Sequence, residues 1–187
     1  MAAKKKIQAT ARKKLDTLIR AKGYTDYKWI DPQKIIVSQW VRTKCIYGCG
    51  EYGHNACCPP NVPSVSECER FFHEYQDAVI FWFEKAVDKP EDRHAWSKKI
   101  NNKLAKLERE VFLCGYERAF MLFMDSCGIC KECTAVREEC KQPRTARPSP
   151  EAMAVDVYST VKQFGLPIAV RTNYTQKMNR YAFLMIR

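Results

Sequence analysis

The stretch Asp77–Ala86, DAVIFWFEKA, is a continuous apolar run rich in β-favouring residues and closed off by charge. Its length suits a strand buried on both faces better than a helix, which places the centre of a sheet here. Working outward, Ser64-Val65-Ser66-Glu67 has the form of a capping box, in which the Ser and Glu side chains satisfy free donors at a helix start. A helix to about Gln76 therefore feeds the strand. Downstream, Pro90 opens a long helix with Trp96, Ile100, Leu104, Leu107 and Val111 on one face and Gly115 as its stop.

The flanks repeat these elements. Ala11, Leu15, Leu18 and Ile19 recur at helical spacing within residues 8–21, and Gly23 ends an amphipathic, basic N-terminal helix (1–23). Residues 26–41 read as two strands around Asp31-Pro32-Gln33, with Ile35, Ile36 and Val37 in the second. RAFMLFMD (118–125) is a further short buried strand. Ser149-Pro150-Glu151 offers a cap with proline at the first helical position, for a helix ending near Gly165. Residues 166–187 finish as a strand, a polar turn and a second strand.

Two cysteine-rich loops, 45–64 and 127–149, interrupt this order. Each ends with cysteine and prolines, reaches a Pro-Ser pair (Pro63-Ser64 and Pro148-Ser149), and opens a helix followed by a strand. The expected fold is α/β or α+β: one domain (1–187) with a central mixed sheet flanked by helices. The two Cys loops sit in a pseudo-repeat of strand, loop, helix and strand.

Composition sets the class. The 187 residues are enough for one sizeable core, and 46% hydrophobic residues argue against disorder. No apolar run is long enough to span a membrane. The start lacks the apolar stretch of a secretory signal, so a cytoplasmic location is expected. Ten cysteines in a reducing compartment point to metal rather than disulfides. The net charge of +11 is concentrated at the ends, with nine Lys and Arg against two acids in residues 1–28 and eight against two in residues 141–187. Such ends suit a solvated face, an acidic electron-transfer protein, an anionic substrate or nucleic acid, and they can offset anionic metal–thiolate clusters.

Cys127-x2-Cys130-x2-Cys133-x6-Cys140 carries the strongest chemical signal. Three thiolates at successive two-residue gaps can wrap one iron–sulfur cubane, with the fourth arriving from further on. Bacterial ferredoxins have that fourth cysteine three residues after the third, where this chain has Arg137. Zinc is the alternative, although zinc sites more often use two separated C-x2-C knuckles. The first loop offers Cys45, Cys49 and Cys58. Its C-x3-C opening resembles half of the radical-SAM signature, but the next required position is Tyr52, which disfavours that class.

Adjacent side chains rarely serve one cubane, so Cys58, directly before Pro59-Pro60, is taken as the ligand. Cys57 is read as a small buried residue, with a redox thiol or an additional ligand as its other readings. His54 is read as a loop residue that can also serve as that ligand. Cys68 and Cys114, on helical stretches, are expected in the core, with service as the missing fourth ligand as the alternative for either. Arg144 and Arg147 can hydrogen-bond to sulfide or thiolate or hold an anion.

The two loops and the stretch EAMAVDVYSTVKQFG (151–165) together resemble a family of predicted metal-binding proteins of unknown function, common in anaerobes. The resemblance runs from about Lys44 to the C-terminus. It carries Cys45, Cys49, Cys58, Cys127, Cys130, Cys133 and Cys140 as site residues, with Arg147-Pro148-Ser149 before the helix. Where that family usually has glycine before an Ile/Val-Asp pair, this chain has Ala154. The resemblance implies metal binding and leaves the reaction open.

The functional expectation is a cytoplasmic metal-binding protein with one or two [4Fe-4S] clusters for electron transfer or for redox or sulfur-group chemistry. The alternatives are a zinc-stabilised module binding nucleic acid or protein, and an iron–sulfur cluster carrier. No phosphate loop, dinucleotide fingerprint or Ser-His-Asp pattern is present.

Overall fold

The computed structural model describes the backbone of residues 2–173 and 175–187 and the side chains from Arg12 onward, apart from Pro90 and residue 174. Helices α1 (Ala2–Ala21), α2 (Gln39–Gly48), α3 (Val65–His73), α4 (Pro90–Leu113) and α5 (Val157–Gln163) accompany strands β1 (Tyr27–Ile30), β2 (Ala78–Lys85), β3 (Phe120–Leu122) and β4 (Met178–Met185). The strands form one sheet in the order β1-β2-β4-β3, giving a single-domain α+β fold.

The stretch DAVIFWFEKA does form a central strand. β2 pairs along its whole length with β4, Ala78 opposite Met185 and Lys85 opposite Met178. Alternate residues enter two cores. Val79 and Phe81 pack with Leu15 and Ile19 of α1 and Leu104, Leu107 and Val111 of α4. Ala78 and Ile80 pack with Cys68 and Phe72 of α3 and Val157 and Val161 of α5. With helices on both faces, every residue from Ala78 to Phe81 is fully buried, which is why the sequence shows no polar alternation there. Leu15, Leu18 and Ile19 meet the first core as their spacing predicts; Ala11 lies outside the described side chains.

The chain runs α1-β1, Cys segment, α3-β2 and then α4-β3, Cys segment, α5-β4. The first helices of the two halves share one face of the sheet and the second helices share the other. The final strands β2 and β4 pair antiparallel at the centre, and β1 and β3 take the edges. The pseudo-repeat is therefore visible in the topology and includes a preceding helix in each half. The N- and C-terminal segments also converge, since Arg12 and Arg187 both bind the buried carboxylate of Asp77.

Several local expectations change. The sheet is wholly antiparallel between neighbours rather than mixed. The α4 crossover does join two parallel strands, β2 and β3, but β4 is inserted between them. Residues 35–37 do not form a hairpin strand with β1. Asp31 accepts from Gln33 N–H and starts a 3-10 turn at Pro32–Lys34, and among the described residues this segment pairs through the bridge Val37–Val155.

The first Cys segment begins on a helix, with Cys45 in the last turn of α2 and Cys49 at its C-cap. This helix escapes a periodicity reading because only Val41 is buried, while Trp40, Ile46 and Tyr47 are exposed. Residues 166–171 are not a strand. Side chains hold them instead, with Tyr181 Oη donating to the Pro167 carbonyl and Tyr158 Oη to that of Ala169. The Ser149 cap is used for one turn, its Oγ accepting from Ala152 N–H, before Ala154 takes φ 59° and Asp156 caps α5 in its place.

Candidate functional site

The capping box fixes where the first loop ends. Ser64 Oγ accepts from Glu67 N–H, and Glu67 accepts from Ser64 N–H at 2.8 Å. Arg42 of α2 ties that end to the second half by donating to the carbonyls of Pro63 and Ala152 at 3.1 and 3.0 Å. The second loop leaves β3 and lies along α4. Ser97 donates to Asp125 at 2.6 Å, Asn101 Nδ2 to the Ser126 carbonyl at 3.3 Å, and Lys98 to the Cys130 carbonyl at 3.3 Å. Asp125 has φ 62°, a conformation costly for a residue other than glycine, directly before Ser126-Cys127.

The two loops touch. Ala56 N–H donates to Cys133 Sγ at 3.3 Å, Asn61 Nδ2 to the Ala135 carbonyl at 2.7 Å, and Arg137 reaches Cys57 Sγ at 3.8 Å. All ten cysteines are free thiols. A cavity of about 260 Å³ is lined by Cys127, Cys130, Cys133 and Cys140 of the second loop together with Cys57 of the first. A neighbouring cavity of about 240 Å³ is lined by Cys45, Cys49 and Cys58. Cys57 and Cys58 are both buried, but they border different spaces.

Cys57 and Cys127 line the same cavity. The Cys57 side chain, followed by the backbone N–H groups of Ile129 and Arg147, lowers the Cys127 thiol despite its burial. Cys57 is pushed the other way by Cys127 and by desolvation. Burial also raises Cys58 and Cys45, each with a smaller contribution from neighbouring first-group cysteines. These directions belong to the metal-free thiols; a bound metal holds its cysteine ligands as thiolates.

The other expected residues are placed as follows. His54 is exposed and lines the second-loop cavity. Arg147 turns its guanidinium to Glu108, with contacts of 2.5 to 3.1 Å, and stacks over Phe120, so its backbone rather than its side chain meets Cys127. Arg144 is exposed and accepts from Arg147 through its carbonyl. Cys68 is fully buried on the opposite face beside Met153. Cys114 is exposed at the end of α4 rather than in the core, because the helix's buried face ends at Val111.

Four residues at the first-group cavity were not expected as site residues, and all of them belong to the other half of the chain: Arg93, Asp125, Glu151 and Arg180. Burial raises the Glu151 carboxyl.

Among the described residues, no three His, Cys, Asp or Glu side chains converge tightly enough to hold a single metal ion. The donor chemistry fits soft, thiolate-ligated metal, because both groups consist of sulfur supplied by loops on a rigid sheet. The family model described as predicted metal-binding protein (DUF2284) matches residues 28–186. No curated protein and no solved structure matches the chain.

Proposed function

The chain belongs to this predicted metal-binding family, and we propose that it carries two iron–sulfur centres, one in each cysteine group, serving electron transfer or redox chemistry. The observation that supports this reading is the division of eight thiols into two adjoining groups, one of them built on Cys127-x2-Cys130-x2-Cys133. At such crowded spacing Cys127, Cys130 and Cys133 would hold a cluster together, and the bound cluster would supply one-electron transfer.

The chain's own residues hold and shield these groups. Ala56, Ile129 and Arg147 direct backbone N–H groups at sulfur, a pattern that tunes the potential of a thiolate-bound cluster. Arg137 adds positive charge beside Cys57. A reducing cytoplasmic setting and an acidic electron-transfer partner for the basic ends belong to the same reading.

Protein purified without oxygen is expected to be brown and to contain iron and acid-labile sulfide, with an EPR signal after reduction. A colourless protein that binds stoichiometric zinc and takes up neither iron nor sulfide overturns the reading in favour of a zinc-stabilised module.

A further inference from the structure

The first cysteine group has only three thiols on its cavity, since Cys57 borders the other one. The remaining lining carries two arginines, Arg93 and Arg180, among the carboxylates of Glu51, Asp125 and Glu151. Arg93 and Arg180 are each in an ion pair with Asp125, at 3.7 and 3.5 Å through Nε. Neither contact is a hydrogen bond, and both Nε atoms are buried without a hydrogen-bond partner. Asp125 thus engages the two buried Nε atoms only loosely, and both side chains stay partly exposed at the cavity's edge.

A second cavity of about 360 Å³ adjoins the first and shares Cys45, Cys49, Glu151 and Arg180 with it. Its other walls include Trp40, Val41, Val155, Val157, Ile168 and Tyr181. One molecule can therefore place a charged end at the arginines and an apolar body against these side chains, passing over Cys45 and Cys49. Guanidinium groups recognise planar carboxylates through paired N–H donors.

We propose that the cavity beside Cys45, Cys49 and Cys58 binds a small organic carboxylate, its anionic end held by Arg93 and Arg180 and its apolar body lodged along α2 and Val155–Val157. This makes the three-thiol group the substrate-binding centre of the protein and leaves the second-loop group to move electrons. The assignment of roles rests on the reading of both groups as metal centres.

Hexanoate is a suitable probe, titrated by calorimetry into anaerobically purified full-length protein. Saturable binding is expected, with hexanol and sulfate each at least tenfold weaker. Arg93→Gln and Arg180→Gln are each expected to weaken hexanoate about tenfold or more, and Lys103→Gln, at an exposed position of α4, leaves it unchanged. Arg180→Lys keeps the charge and guards against a folding defect, and Trp40→Ala should weaken hexanoate more than acetate. Hexanol binding as tightly as hexanoate, equal binding of sulfate, absence of hexanoate binding, or retained affinity in both glutamine variants with native melting overturns the proposal. Iron and sulfide assays on the same preparation decide the metal reading separately. Hexanoate binding without iron keeps the carboxylate site and removes only the division of roles between the centres.

Discussion

Cys57 and Cys58 are consecutive in the chain, yet Cys57 lines the second-loop cavity with Cys127 while Cys58 lines the cavity of Cys45 and Cys49. One peptide link therefore separates the two thiol groups. In the proposed reading, each member of the pair serves its own centre.

Serine substitutions separate the two sites. Cys58→Ser is expected to lower iron and sulfide by the content of the first centre while the second-loop EPR signal persists. Cys57→Ser is expected to alter the second-loop signal and spare the first. A second-loop signal identical to that of the unmodified protein in Cys57→Ser would return that residue to a packing role.

Glu108 is buried and holds Arg147 through both carboxylate oxygens while accepting from Met121 N–H at 3.2 Å. Burial raises its carboxyl and Arg147 opposes the rise. Glu108→Ala leaves the partly buried guanidinium without its carboxylate, bonded only to the Arg144 and Ala146 carbonyls among the described residues, and removes the acceptor of Met121 N–H, at an expected cost of about 3–5 kcal/mol. Chemical denaturation measures it, and a loss under about 1 kcal/mol would mean that solvent already screens the pair.

Ala154 sits at φ 59°, in the left-handed region where a Cβ is strained, and it is fully buried. The glycine usual in the resembling family is the residue this backbone favours. Ala154→Gly is expected to stabilise the protein by about 0.5–1 kcal/mol after the lost methyl packing, raising Tm by a few degrees. A lower Tm would show that the methyl matters more than the backbone.

Glu67 is held below the ordinary carboxylate range, first by the Ser64 hydroxyl and then by Ser64 N–H. A lowered value means that the unfolded chain takes up the proton first. The contribution is therefore full above the unfolded value and disappears as pH falls through the folded one. Wild type is expected to melt above Glu67→Gln at neutral pH, with the gap closing on acidification; a gap constant down to strongly acidic pH contradicts the carboxylate's role.

Much of the fold was legible because its signals are local. The Ser64–Glu67 box, the start of α4 at Pro90 and the two-sided burial of β2 depend on residues within a few positions of one another, and each element lies where its pattern placed it. The elements that moved are those decided by distant partners. The segment 35–37 has strand-forming side chains, but β2 occupies its expected place beside β1, leaving only the Val155 bridge. Arg147 follows Cys140 closely, yet a buried carboxylate on α4 takes its side chain.

By itself the sequence determined that this is a thiol-rich protein of helices around a sheet, α/β or α+β, with two related Cys loops, since helix caps, apolar periods and cysteine spacings are all short-range properties. Only the tertiary structure decided which cavity each thiol borders. That outcome depends on Ala56, Cys57 and Asn61 meeting residues more than seventy positions away, and on α4 and β4 carrying Arg93 and Arg180 to the first group. No local pattern encodes those encounters, because they arise only when the two halves pack around the β2–β4 pair.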